Sequence, residues 1–230
     1  MMTSAKLVHI EAHAALESAI VAVVEDDEPQ RVALAFQLET ADYHVTVYRS
    51  AESFLEAPES KEFDCVVADI CMPRMNGLQL FAKIKQSLPF VSVIFVTGCA
   101  NMSIGVQAMR EGAIDCLEKP IDDATLLNAI RRGHDLARIG RAEHIRRIAL
   151  GELERTLTPR EHEVFALITS GLLNKQVGAE LGPTEQTIKR HRGRVMMKMG
   201  AASLPDLVRI AEVLHIHPAY DRALPRARLV

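Results

Sequence analysis

The chain has 230 residues, 48% of them hydrophobic and 25% charged, ordinary proportions for a globular protein with room for one large or two modest domains. Its net charge of −3 is unevenly spread: residues 1–155 carry 16 basic against 23 acidic side chains and residues 156–230 carry 11 against 7, so nucleic acid is expected at the basic end. Four cysteines without Cys-x-x-Cys spacing argue against a disulfide framework and fit a reducing cytoplasm, and no stretch is apolar enough for a membrane span or a secretory signal.

Residues 1–18 lack a continuous apolar run and are read as a loosely ordered extension. Residues 19–24 form an apolar, β-branched run too short for a helix, which ends in Glu25-Asp26-Asp27-Glu28. Pro29 suits a first helical turn, and Val32, Ala33, Phe36 and Ala41 give the apolar stripe of a helix. A strand at 44–48 and a helix at 50–57 precede the stretch that organises the chain, the strand 65–69. That strand delivers Asp69 to a turn containing Pro73, Asn76 and Gly77. A helix at 78–88 stops before Pro89, and the strand 90–96 is closed by Thr97-Gly98. A helix at 103–111 is ended by Gly112, and the strand 114–117 runs into Glu118-Lys119-Pro120.

Alternation of strand and helix with short connections predicts right-handed crossovers and a parallel sheet covered on both faces. The polar strand ends then share one rim, where ligands bind in open α/β sheets. Glu25, Asp26, Asp69, Thr97 and Lys119 gather there. Residues 122–154 read as a last sheet-covering helix running on into a linker, interrupted by Gly133 and Gly140. Leu126, Leu127, Ile130, Ala137, Ile145 and Ile148 offer an imperfect dimer seam along it.

The tail opens with the capping box Thr158-Pro159-Arg160-Glu161, and its first helix ends near Gly171. Residues 174–181 form a short second helix. Gly182-Pro183 turns the chain, and Thr184 caps a third helix with Ile188, Val195 and Met199 inward. Ser203 starts a fourth, with Leu207, Ile210 and Leu214 inward. Lys189, Arg190, Arg192, Arg194 and Lys198 lie on the third helix without an intervening acid, as a helix-turn-helix requires for the DNA major groove. Gly193 within that helix costs about 1 kcal/mol against alanine.

Three carboxylates in one place require a cation, and a hard divalent ion with oxygen ligands, Mg2+, is expected. Together with the Lys119 ammonium it would orient a phosphoryl group for attack by Asp69, with Thr97 donating a hydrogen bond to a phosphoryl oxygen.

The Glu25-Asp26 pair, the Asp69 loop, Thr97-Gly98 and Lys119-Pro120 resemble the receiver domain of two-component response regulators over roughly residues 18–132. The resemblance implies a flavodoxin-like sheet of order 2-1-3-4-5 and phosphotransfer from a histidine kinase. It also implies Mg2+ held by Asp26, Asp69 and the Cys71 backbone carbonyl, with Glu25 acting through water. The family usually places a switching aromatic three residues before the lysine, where this chain has Cys116. Cys71 and Cys99 occupy the places that tune dephosphorylation, and neither thiol orients water well, which predicts slow self-hydrolysis. Residues 157–214 are similar to LuxR-type output domains through Leu172-Leu173-Asn174-Lys175-Gln176 and the stretch from Thr187 to Arg192. The whole resembles the FixJ/NarL class. That implies a DNA-contacting set of Lys175, Thr187, Lys189, Arg190, Arg192 and Arg194, in which Lys189 and Arg190 point at bases and Lys175, Arg192 and Arg194 hold the backbone. It further implies a dimer on paired half-sites.

The expected organisation is an extension (1–18), an α/β receiver (19–132), a linker helix (133–155) and an all-α four-helix helix-turn-helix domain (156–230). The expected function is that of a cytoplasmic, non-enzymatic transcription regulator switched by phosphorylation. One rival is a DNA-binding protein whose receiver is only a dimerisation scaffold. Another is a Mg2+-dependent phosphatase, which would want a second aspartate where Cys71 stands.

Overall fold

A computed structural model describes residues 19–58, 62–98 and 102–217; the expected extension and Cys99 lie outside these. The chain forms two compact units, the first ending at Arg141 and the second starting at Ala142.

In the first unit, β1 (Ile20–Val24), β2 (His44–Tyr48), β3 (Cys65–Asp69), β4 (Ser92–Thr97) and β5 (Asp115–Glu118) form one sheet of order β2-β1-β3-β4-β5, with every pairing parallel. This is the expected topology. The central strands are buried on both faces, which is why they read as continuous apolar runs rather than alternating ones. One face carries Val66, Ala68 and Phe95 against α2 (Ala51–Glu56), α3 (Gly77–Ser87) and α4 (Met102–Arg110). The other carries Val23, Val67, Ile94 and Val96 against α1 (Glu28–Thr40) and the start of α5 (Asp123–Glu154).

Two expectations are corrected here. The Val32/Phe36 stripe of α1 does not face the sheet: Val32 is 60% and Phe36 71% exposed, while Leu34 and Leu38 are buried. Two apolar stripes compete on this helix, and its docked rotation selects the second. The first part of the proposed seam on α5 is also not available, because Leu126 and Ile130 belong to the sheet-covering core and Ala137 is buried, whereas Ile145 and Ile148 are exposed. Glycine explains how closely α5 lies on the sheet: a Cβ at Gly133 would stand 2.8 Å from Cys65 Sγ, and Ser92 Oγ donates to the Gly133 carbonyl at 2.8 Å. At the edge of the sheet away from the acidic rim, Asp64 Oδ2 accepts from Ile20 N at 3.0 Å and lies 3.2 Å from His134 Nδ1. Arg141 of α5 bonds both the Asp64 carboxylate and the Phe63 carbonyl.

The second unit contains α6 (Pro159–Thr169), α7 (Asn174–Leu181), α8 (Glu185–Met199) and α9 (Leu204–Leu214), together with the end of α5, whose Leu150 is buried in the same core. The capping box of α6 is formed: Thr158 accepts from the Glu161 N–H, and the Glu161 carboxylate accepts from the Thr158 N–H at 2.9 Å. Gly182 and Gly200, both at positive φ, end α7 and α8. Ile188, Val195 and Met199 are buried as expected.

Candidate functional site

The rim is assembled by strand ends. Asp69 is the last residue of β3, 5% exposed, and its strand position pairs with Val96, one residue before Thr97. The backbone of Lys119, just past β5, donates to the Thr97 carbonyl at 2.9 Å. α3 must begin directly over Asp69, since a Cβ at Gly77 would lie 2.5 Å from the Asp69 carbonyl oxygen. Only glycine permits that approach. The Cys71 N–H donates to Asp69 Oδ2 at 3.1 Å, so the loop after β3 folds back over the carboxylate.

Glu25, Asp26 and Asp69 each present an oxygen within 4.8 Å of the others. Asp26 is exposed and the other two are buried. Lys119 Nζ donates to Glu25 Oε2 at 2.6 Å and to Asp69 Oδ1 at 3.3 Å. Burial pushes the Glu25 carboxyl above its usual range; the Lys119 hydrogen bond opposes this and the Asp69 charge adds to it. For Lys119, burial works against the ammonium, but the Glu25 hydrogen bond and the Asp69 charge carry it above its ordinary value. One ammonium therefore faces three carboxylates, and a second, harder cation fits the oxygens left over.

The geometry thus brings Glu25, Asp26, Asp69 and Lys119 together, with Thr97 beside Asp69 by register. Cys116 is not at the rim. It pairs with Phe95 in the sheet, is half-buried and packs toward α4, where a Cβ at Gly105 would be 3.4 Å from its Sγ. Its thiol is free, as is that of Cys65, and burial followed by the Asp115 charge pushes the Cys116 value up. Cys71, by contrast, is disulfide-bonded.

One rim residue escaped sequence reasoning. The Arg31 guanidinium, reaching back from α1, donates to the carbonyls of Glu25 at 2.8 Å and Asp26 at 3.2 Å and so fixes the acidic turn. The only signal was a basic residue one helical turn past the cap at Asp27.

In the second unit Lys175, Lys189, Arg190 and Arg194 are exposed, while Thr187 and Arg192 are half-buried on the flanks of α8. Thr187 is engaged in the cap, its Oγ1 lying 3.0 Å from Thr184 Oγ1. Lys198 is withdrawn from the basic run: its Nζ donates to the buried Glu161 carboxylate at 2.6 Å and to the Thr156 carbonyl at 2.9 Å. Chiefly through Lys198, and next through the Thr158 N–H, Glu161 is pushed down to about 2.

The family model for the response regulator receiver domain matches residues 21–131, and that for the LuxR family of bacterial regulatory proteins matches residues 155–211. The transcriptional regulatory protein FixJ of Azorhizobium caulinodans is 39% identical, over 89% of this chain and 97% of its own length. This chain belongs to the FixJ class of response regulators. Nodulation protein W of Bradyrhizobium diazoefficiens is 40% identical, over 86% of this regulator and 87% of its own length. Among solved structures, the response regulator StyR is similar at a TM-score of 0.72 and 35% identity, covering 85% of this chain and 99% of StyR. Full-length FixJ from B. japonicum is similar at 0.53 and 32%, covering 87% and 98%. The regulator thus joins a receiver to a LuxR-type DNA-binding domain. No helix among the described residues is long and apolar enough to cross a membrane.

Proposed function

We propose that a histidine kinase phosphorylates Asp69 in the cytoplasm, and that the phosphorylated regulator forms a homodimer that binds paired DNA half-sites and controls transcription. The observation that carries this reading is the convergence of Glu25, Asp26 and Asp69 within 4.8 Å around Lys119. Asp69 is the nucleophile: its carboxylate oxygen attacks phosphorus, and the leaving group departs on the opposite side. Lys119 balances charge on the transferred oxygens, and the Thr97 hydroxyl donates to one of them. Asp26, Asp69 and the Cys71 carbonyl would hold Mg2+, with Glu25 behind them. Bound there, the ion neutralises charge on the phosphoryl oxygens. In the second unit Lys189 and Arg190 read bases, while Lys175, Arg192 and Arg194 grip phosphates and Thr187 lies at the edge of the contact.

The test compares gel filtration and DNA binding of the whole protein with and without beryllofluoride and Mg2+. A shift to a dimer together with tighter DNA binding is expected. If neither changes, the switching reading fails. A second reading, in which the receiver is only a dimerisation scaffold, is favoured by the small Cys116 against Gly105, which leaves no aromatic ring to rotate there. It predicts a dimer with or without the mimic.

A further inference from the structure

Gly193 lies in the interior of α8, where glycine is the poorest helix former after proline. Nothing among the described residues offsets that cost. Its φ is not in the left-handed region, the helix runs unbroken through it from Glu185 to Met199, and a Cβ built on it meets no atom within 4 Å. The benefit of a missing side chain must therefore come from something that meets this face from outside. Helical spacing puts Gln186, Lys189 and Arg190 on the same face seven, four and three residues before Gly193, with Met197 four residues after it. All four are exposed, Met197 at 74%. The result is a hollow with a bare backbone floor, basic side chains on one side and an apolar wall on the other.

The basic flanks fix the occupant as duplex DNA, and the apolar wall narrows it further. The one apolar group that base pairs display in the major groove is the 5-methyl of thymine. We propose that Gly193 and Met197 form a notch that receives a thymine methyl and makes one T·A pair a specificity determinant for this regulator. The inference rests on the reading of α8 as the groove-entering helix. The notch lets the helix backbone approach the base edge, while Met197 covers the methyl from the side.

The test uses the full chain with beryllofluoride and Mg2+ to select binding sites from a random duplex pool, then replaces thymine by uracil at each enriched position. One thymine is expected at which uracil weakens binding by about fourfold, the value of one buried methyl group. Gly193→Leu improves helix propensity, so amide exchange in α8 should slow. The same variant should lose about tenfold or more in affinity for the selected site and no longer distinguish thymine from uracil. If the wild type enriches no sequence, the assignment of α8 to the groove fails and the notch with it. If a sequence is enriched but uracil is tolerated at every position, or Gly193→Leu keeps both affinity and discrimination, the notch alone is refuted.

Discussion

At the scale of single residues, the rim sets one ammonium against three carboxylates. Asp69→Asn should abolish labelling by acetyl phosphate while leaving weak DNA binding, read by phosphate-affinity gels and mobility shift. Lys119→Met should keep the nucleophile but slow labelling by about 10²–10³, the usual consequence of removing one preorganised charge-stabilising donor. Equal loss in both variants would mean that Lys119 positions Asp69 rather than acting on the phosphoryl group. These two residues were legible in the sequence because each stands at a strand end, Asp69 closing the apolar run 65–68 and Lys119 following Glu118 just past the fifth strand. Arg31 was not legible, since it binds backbone carbonyls, and no residue type advertises a carbonyl partner. Lys198 was misleading for a related reason: a lysine in a basic run looks solvated until a buried carboxylate from another helix is seen beside it.

At the scale of elements, Glu161 joins the cap of α6 to α8. Its folded value, about 2, lies below the ordinary 4.5, so its stabilising effect is complete above pH 4.5 and fades as the pH falls toward 2. Lys198→Met should therefore lower the unfolding free energy of the second unit, read by urea titration at pH 7, by on the order of 3 kcal/mol for a broken buried pair. The gap to wild type should narrow as the pH falls below 4.5 and close as it passes through 2, where Glu161 becomes protonated in both. A gap independent of pH would assign the effect to packing. On α1, Leu38→Ala should cost about 2–5 kcal/mol and Phe36→Ser less than about 0.5. The sequence left the rotation of α1 undecided because Val32/Phe36 and Leu34/Leu38 both repeat at helical spacing. Only the docked position, with Arg31 reaching back over the acidic turn, separates them. Gly133→Ala should destabilise despite its better helix propensity, by about 1–3 kcal/mol, because its methyl meets Cys65 and Ser92.

At the scale of the whole molecule, the charge split along the chain was the most informative number, because it separated an acidic phosphoacceptor unit from a basic one before any motif was considered. The parallel, doubly covered sheet was legible too, since alternating β and α segments leave few topologies once crossovers are right-handed, whereas the strand order came only with the resemblance to receiver domains. If Lys175, Arg192 and Arg194 each hold a phosphate in both halves of a dimer, log affinity should fall with log salt at a slope of about −5. Lys175→Ala should reduce that slope by about 2 units and weaken all sequences alike. Lys198→Ala should leave the slope unchanged.

β3 joins two aspartates of opposite fate: Asp69 at its head faces the rim, and Asp64, just before its foot, is tied to Ile20 and Arg141 and lies 3.2 Å from His134 Nδ1. A strand pinned at the foot does not slide when its head is pushed. If Asp69 is phosphorylated as proposed, the resulting displacement is expected to pass sideways into neighbouring loops rather than along the strand. We expect Asp64→Asn to leave the rate of Asp69 labelling intact while blunting the oligomeric response to it, as a lever loses its throw when the ground beneath it gives.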